Sequence, residues 1–204
     1  GVQSVQVREG SLQLLGRTKN LMYTTWEGGS VSGNGLLRLT GPRLSGGNFG
    51  DLTLGDGANG AGHLVVEEGA ALTTTYSSVG RNATASATVS DSFSRWITSA
   101  DLVLGLDRFG NGSLTIDSGG IVEVQGQMIL GRDTGSSGSV TLRGNQQGTQ
   151  SSLQVISLAR GAGNASFLWD GGWLYYAGLE NTALFSGFQA GDVVIGEGNA
   201  YLYN

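Results

Sequence analysis

The chain has 204 residues, a formal charge of −5, one proline, 37 glycines and no cysteine. Without cysteine there is no disulfide framework and no thiolate zinc site, and a single histidine, His63, excludes any mechanism that needs two imidazoles. The acidic balance excludes strong non-specific attraction to nucleic acid, and a charged fraction of 13% is too low for a disordered or charge-rich helical chain.

No apolar run approaches the ~18 residues that a membrane-crossing helix needs. The N-terminal stretch Gly1-Val2-Gln3-Ser4-Val5 shows no basic region followed by an apolar one and no initiator Met, so a mature or trimmed fragment is expected.

Along the chain one unit recurs. An early echo is Leu14-Leu15-Gly16-Arg17. A full copy runs from Leu54-Gly55-Asp56 to Leu64-Val65-Val66. A shorter one runs from Val79-Gly80-Arg81 to Ala87-Thr88-Val89. Two long copies follow, Leu104-Gly105-Leu106-Asp107-Arg108 to Leu114-Thr115-Ile116 and Leu130-Gly131-Arg132-Asp133 to Val140-Thr141-Leu142. A polar insert near Arg143–Gln150 precedes Leu158-Ala159-Arg160, and a last echo is Val193-Val194-Ile195-Gly196. The anchors Gly55, Gly80, Gly105 and Gly131 are 25, 25 and 26 residues apart, and Ala159 is read as the next anchor.

Inside a unit the period is two. Leu102-Val103-Leu104, Leu114-Thr115-Ile116 and Val122-Glu123-Val124 each read apolar-x-apolar, the alternation of a strand with one buried face. Gly, Asn, Asp and Ser between them supply turns. About three short strands in ~25 residues cannot form a domain alone, but equivalent strands stacked in parallel ~4.8 Å apart bury a continuous interior. The predicted fold is an all-β parallel β-helix, a β-solenoid spanning 1–204 as one domain. Its coils are best defined over 36–199. About eight coils are expected, in a rod of roughly 40 Å.

The stretch Thr88-Val89-Ser90-Asp91-Ser92-Phe93-Ser94-Arg95-Trp96-Ile97-Thr98-Ser99-Ala100-Asp101-Leu102-Val103-Leu104-Gly105 resembles the repeats of bacterial autotransporter passenger domains. Gly112-Ser113-Leu114-Thr115-Ile116-Asp117-Ser118-Gly119-Gly120-Ile121-Val122 is similar to the other half of the same repeat. So is Leu168-Trp169-Asp170-Gly171-Gly172-Trp173-Leu174, followed by Leu184–Phe188 and Gly191–Ile195, to passenger sequences near a coil boundary. The resemblance implies a right-handed parallel β-helix, an adhesin or self-associating protein on the bacterial surface or secreted from it. It also implies that this chain is an excised passenger segment, with a membrane β-barrel C-terminal to it in the full protein.

Chemistry is sparse. His63 takes the place of Ser113 and Ser139 in sister units, an outward position. The adjacent pair Glu67-Glu68 diverges, whereas glycoside hydrolysis needs two carboxylates facing across a cleft. Asp56, Asp107 and Asp133 offer surface carboxylates without a calcium-loop pattern. No cofactor, metal or nucleic-acid partner is expected, and no catalytic residue is assigned.

Two patterns are candidates for ligand binding. Arginine follows the anchor at Arg17, Arg81, Arg132 and Arg160, and Arg108 lies in the same loop of the intervening unit. Such a file could hold acidic glycans, or be neutralised by neighbouring carboxylates. Nine of the sixteen aromatic residues lie after residue 166, and strand alternation puts Trp173 and Tyr175 on one face and Tyr176 with Leu174 on the other. Arg81, Arg108, Arg132, Arg160, Trp173 and Tyr175 are the expected binding residues. The expected function is non-enzymatic adhesion or cell–cell self-association, through a surface glycan or protein of host or bacterium or through a second copy. A polysaccharide-acting enzyme and an inert stalk are the alternatives.

Overall fold

The computed structural model describes residues 5–7, 11–15, 25–31, 35–41, 47–56, 61–144, 149–178 and 183–203. For 5–7, 11–15, 25–31 and 47–48 it gives the backbone alone. The described residues contain strands and no helix, so none is long and apolar enough to cross a membrane.

All strand pairs are parallel and lie in two sheets. One sheet has eight strands, stacked in strict sequence order from Ser11–Leu15 to Val193–Ile195. The other has twelve, because three of its turns contribute two separate pieces. One turn shows the scheme: Arg95–Thr98 and Leu102–Leu104 enter the twelve-stranded sheet, and Asn111–Ile116 returns to the eight-stranded one. In the next turn the two pieces fuse into the single strand Ile121–Leu130. The three strands per coil expected from the sequence are thus present, and the fold is a β-solenoid.

Period-two alternation sets which side chains enter the interior, and stacking lines them up. Leu104 lies directly between Val79 and Leu130. Val66, Val89, Ile116, Leu142 and Trp169 form a second file, and Leu72, Trp96, Val122, Leu153 and Leu174 a third. All of these are 0–6% exposed. Burial of each such side chain contributes on the order of 1.5–3 kcal/mol, which a single rung could not collect without a rung on either side. Ile195 and Leu202, the final described members of the second and third files, are 66% and 58% exposed.

The anchor glycines have the conformation their sequence position implied. Gly55, Gly80, Gly105 and Gly131 have φ of 69°, 73°, 75° and 59°, left-handed backbone that turns the chain out of the strand. The N–H groups of Gly80, Gly105 and Gly131 each donate to a carbonyl one rung back (Leu54, Val79 and Leu104), at 2.8 Å every time.

The eight strands of the shorter sheet are eight successive rungs at about 26 residues per turn, and at ~4.8 Å per rung they rise roughly 35 Å, close to the expected rod. One expectation needs correction. The anchor after Gly131 is Gly161, not Ala159. Leu158, Ala159 and Arg160 pair with Met128, Ile129 and Leu130, and the Gly161 N–H donates to the Leu130 carbonyl. Inward alternation through Leu153, Val155 and Leu158 fixes this register, and an irregularity between Val124 and Gln127 absorbs the difference in length.

Candidate functional site

The arginine file lies along the edge where the chain leaves the twelve-stranded sheet. Arg81 reaches carboxylates of both neighbouring rungs, Asp56 at 3.7 Å and Asp107 at 3.6 Å. Arg132 lies 3.5 Å from Asp133. These groups are close to half exposed, so each contact contributes only about 0–1 kcal/mol, but the charge along the edge is balanced. Arg17 lies outside the described residues.

Arg160 differs from the others because of the register. It continues the buried file of Leu54, Val79, Leu104 and Leu130, and its side chain is 16% exposed. Its guanidinium meets Asp192 at 2.8 Å and donates from Nε to the Gly163 carbonyl at 3.2 Å. Asp192 also accepts the Gln189 N–H at 2.7 Å. Arg160 ties the last turns together and does not stand with Arg81 and Arg132. Arg108 is the exposed member: no carboxylate lies within ion-pair distance among the described residues, and its guanidinium sits 5.5 Å from the centre of the exposed Phe109 ring.

The C-terminal aromatics divide into two groups. Phe167 and Trp169 are in the core, with Phe185 and Phe188 packed against it. Trp173 and Tyr175 face outward on one strand, as alternation required. The last strand sets Tyr201 beneath Trp173 and Tyr203 beneath Tyr175. Trp173 stacks on Tyr201 at 4.8 Å between ring centres and on Tyr175 at 5.9 Å, while Tyr203 is tilted 5.6 Å from Tyr175. The faces of Trp173 are therefore turned to its neighbours, and Tyr201 and Tyr203, 41% and 59% exposed, form the outer surface of the cluster. The sequence signal for these two tyrosines was the Tyr-x-Tyr spacing, the same as Trp173-x-Tyr175.

His63 takes its predicted place in an outward file with Ser86, Ser113, Ser139 and Ser166, and its Nδ1 lies 2.8 Å from the Ser86 hydroxyl. Glu67 accepts from Arg38 Nε at 2.6 Å, while Glu68 stands exposed on the turn, so the two carboxylates do diverge. Among the described residues no group of three or more His, Asp or Glu side chains could hold a metal ion.

Burial raises the Asp117 carboxyl above its usual range; Arg143 opposes this, the Asp91 charge adds to it, and a hydrogen bond with Ser118 opposes it. The folded chain then holds this proton more tightly than the unfolded one. The stability linked to the group is fully present below the unfolded pKa and is lost as pH rises through the folded value. Asp117→Asn is therefore expected to raise the thermal midpoint at pH 7 and to bring no gain at pH 3, a comparison that paired melts settle.

The class that the fold defines is the β-solenoid. Comparison with protein-family models, with curated proteins and with solved structures finds no match for the chain.

Proposed function

We propose that the chain is a passenger segment of an autotransporter-like surface protein, displayed outside the bacterial cell, that acts in adhesion or cell–cell association by binding rather than by catalysis. The observation that carries this reading is the outward cluster of Trp173, Tyr175, Tyr201 and Tyr203. Outward positions one and two rungs earlier in the same two files are Ser152, Gln154, Ile121 and Glu123, so within these files, among the described residues, the aromatic rings gather at the last two rungs. Exposed tyrosine presents apolar area with a hydroxyl at its tip, suited to the apolar face and hydroxyls of a sugar ring or to a protein surface. Arg108, free of carboxylate partners among the described residues, supplies a cation for acidic groups. One such contact is weak, and arrays on two cells multiply it.

Beads coated with the chain should adhere to cells or clump, beyond beads coated with an unrelated β-helix. The double variant Tyr201→Ser/Tyr203→Ser should cut the adherent fraction at least about threefold without changing the circular-dichroism spectrum. Wild-type beads that behave like the control would remove the adhesive reading; unchanged binding by the variant would remove the aromatic cluster from it. The second reading, a stalk that holds another domain away from the cell, is favoured by the charge balance of Arg81 and Arg132 with their carboxylates. An unrelated rod of equal length would replace a stalk without loss of function.

A further inference from the structure

Three stacked turns lead out of the eight-stranded sheet over Glu67–Ala70, Asp91–Ser94 and Asp117–Gly120. Each is closed by a backbone hydrogen bond from the fourth residue to the first, at 3.1, 3.1 and 2.8 Å. The third residue of every one has left-handed backbone: Gly69 at φ 79°, Phe93 at φ 71° and Gly119 at φ 95°. A later turn out of the same sheet again uses glycine, Gly171 and Gly172 at 95° and 86°. Glu68, Asp91 and Ser118 of these turns are left-handed as well, at φ 54°, 72° and 52°, so short or polar side chains are accommodated here, but a bulky aromatic one is an outlier. Phe93 therefore stands where the stack otherwise uses glycine.

Packing does not account for it. Phe93 is 85% exposed, more than any other large apolar side chain described. Its ring gains no burial in return for the strained backbone. A strained residue whose side chain does nothing for the fold points to a role outside it. The turn is also held firmly: the Gly69 N–H donates to Ser94 Oγ at 2.9 Å, the Arg95 N–H to the Ala70 carbonyl at 2.9 Å and the Ile121 N–H to the Ser94 carbonyl at 2.9 Å. Little ordering would be needed on binding, the condition under which one buried aromatic anchor dominates an interface.

Charge narrows the partner. Exposed Asp91 begins the same turn and exposed Glu68 lies on the turn below, linked to it by the Glu68 N–H to Asp91 Oδ2 at 3.4 Å, and Asp117 lies on the next turn. Arg95 follows the Asp91–Ser94 turn, while Arg38 pairs with Glu67 and the Arg143 charge acts on Asp117, so Glu68 and Asp91 are the carboxylates of these turns that form no ion pair among the described residues. Serine on both sides of the ring leaves no apolar neighbour to enter a bilayer with it. We propose that Phe93 is a preset knob for a partner protein whose surface offers an apolar socket rimmed by Lys or Arg. This contact point is separate from the aromatic cluster and stands or falls independently of the adhesive reading.

A host of that shape is available as a probe: β-cyclodextrin with amino groups on its rim, beside neutral β-cyclodextrin. Titration followed by aromatic proton NMR should show the amino host binding wild type at least about tenfold more tightly than F93G. A control variant at the other exposed phenylalanine, F109S, should keep wild-type affinity. The pair E68Q/D91N should lose the preference for the amino host over the neutral one. F93G should also melt above wild type, since glycine removes the strain. Equal affinity of wild type and F93G, or a lower melting point for F93G, overturns the proposal. So does a wild-type dimer in sedimentation that F93G abolishes, which would assign the knob to a second copy.

Discussion

Trp96→Ala is expected to lower stability by about 3–5 kcal/mol, the range for removing a fully buried large aromatic side chain. Trp96 is the largest fully buried side chain among the described residues, 0% exposed, and lies between Leu72 and Val122 of the adjoining rungs. Its indole Nε1 donates to Thr74 Oγ1 at 3.1 Å, and that hydroxyl also accepts from Ser77 Oγ at 2.8 Å. The substitution therefore opens a cavity in a file where every member touches the next. Trp96→Phe keeps most of the ring area and removes the N–H, so it should cost much less, with Thr74 still bonded to Ser77. Denaturant melts of the two variants give the comparison. Hydrogen exchange should rise first at Leu72–Thr74 and Val122–Val124, because each rung depends on its neighbours.

Gly105→Ala is the second large effect. A Cβ at Gly105 would overlap the Ser137 carbonyl oxygen, with the carbonyl carbon 2.6 Å away, and the backbone there is left-handed at φ 75°. Backbone cannot move aside as a flexible side chain can, so a loss of about 3 kcal/mol or more is expected. Gly191→Ala is the matched control: φ is 90°, but nothing lies within 4 Å of the added carbon. Only the conformational cost, about 1–2 kcal/mol, should remain there. Equal losses in the two variants would mean that the close approach of rungs at Gly105 has no energetic weight.

The architecture was legible because two simple signals agreed. Apolar alternation fixed which side chains point inward, and glycine at 25-residue spacing fixed where each coil turns; Leu104 and Leu130 are vertical neighbours as a result. Register failed where letters were matched instead of faces. Leu158-Ala159-Arg160 looks like Leu130-Gly131-Arg132, yet inward alternation pairs Leu158 with Met128 and sends Arg160 into the interior row against Asp192. Neutralisation of the arginine edge was one of the two readings of the sequence; Asp107 meets Arg81 across rungs at a turn, where the Asp107 N–H also donates to the Arg81 carbonyl at 2.7 Å, outside any strand alternation. Tyr201 and Tyr203 joined the aromatic cluster through the pairing of the final strand, which no periodic unit announced. Phe93 carried a signal, a bulky residue where sister turns have glycine, that becomes readable once the turns are stacked.

The direction of the ladders has a mechanical consequence. Parallel pairing between rungs means that the backbone hydrogen bonds of both sheets run along the long axis of the rod. A pull applied to the two ends loads every ladder in series, and the outermost rung, packed on one side only, yields first. The rod would pay out coil by coil, in steps of similar length, and absorb work at each one. A rod built this way stretches before it snaps.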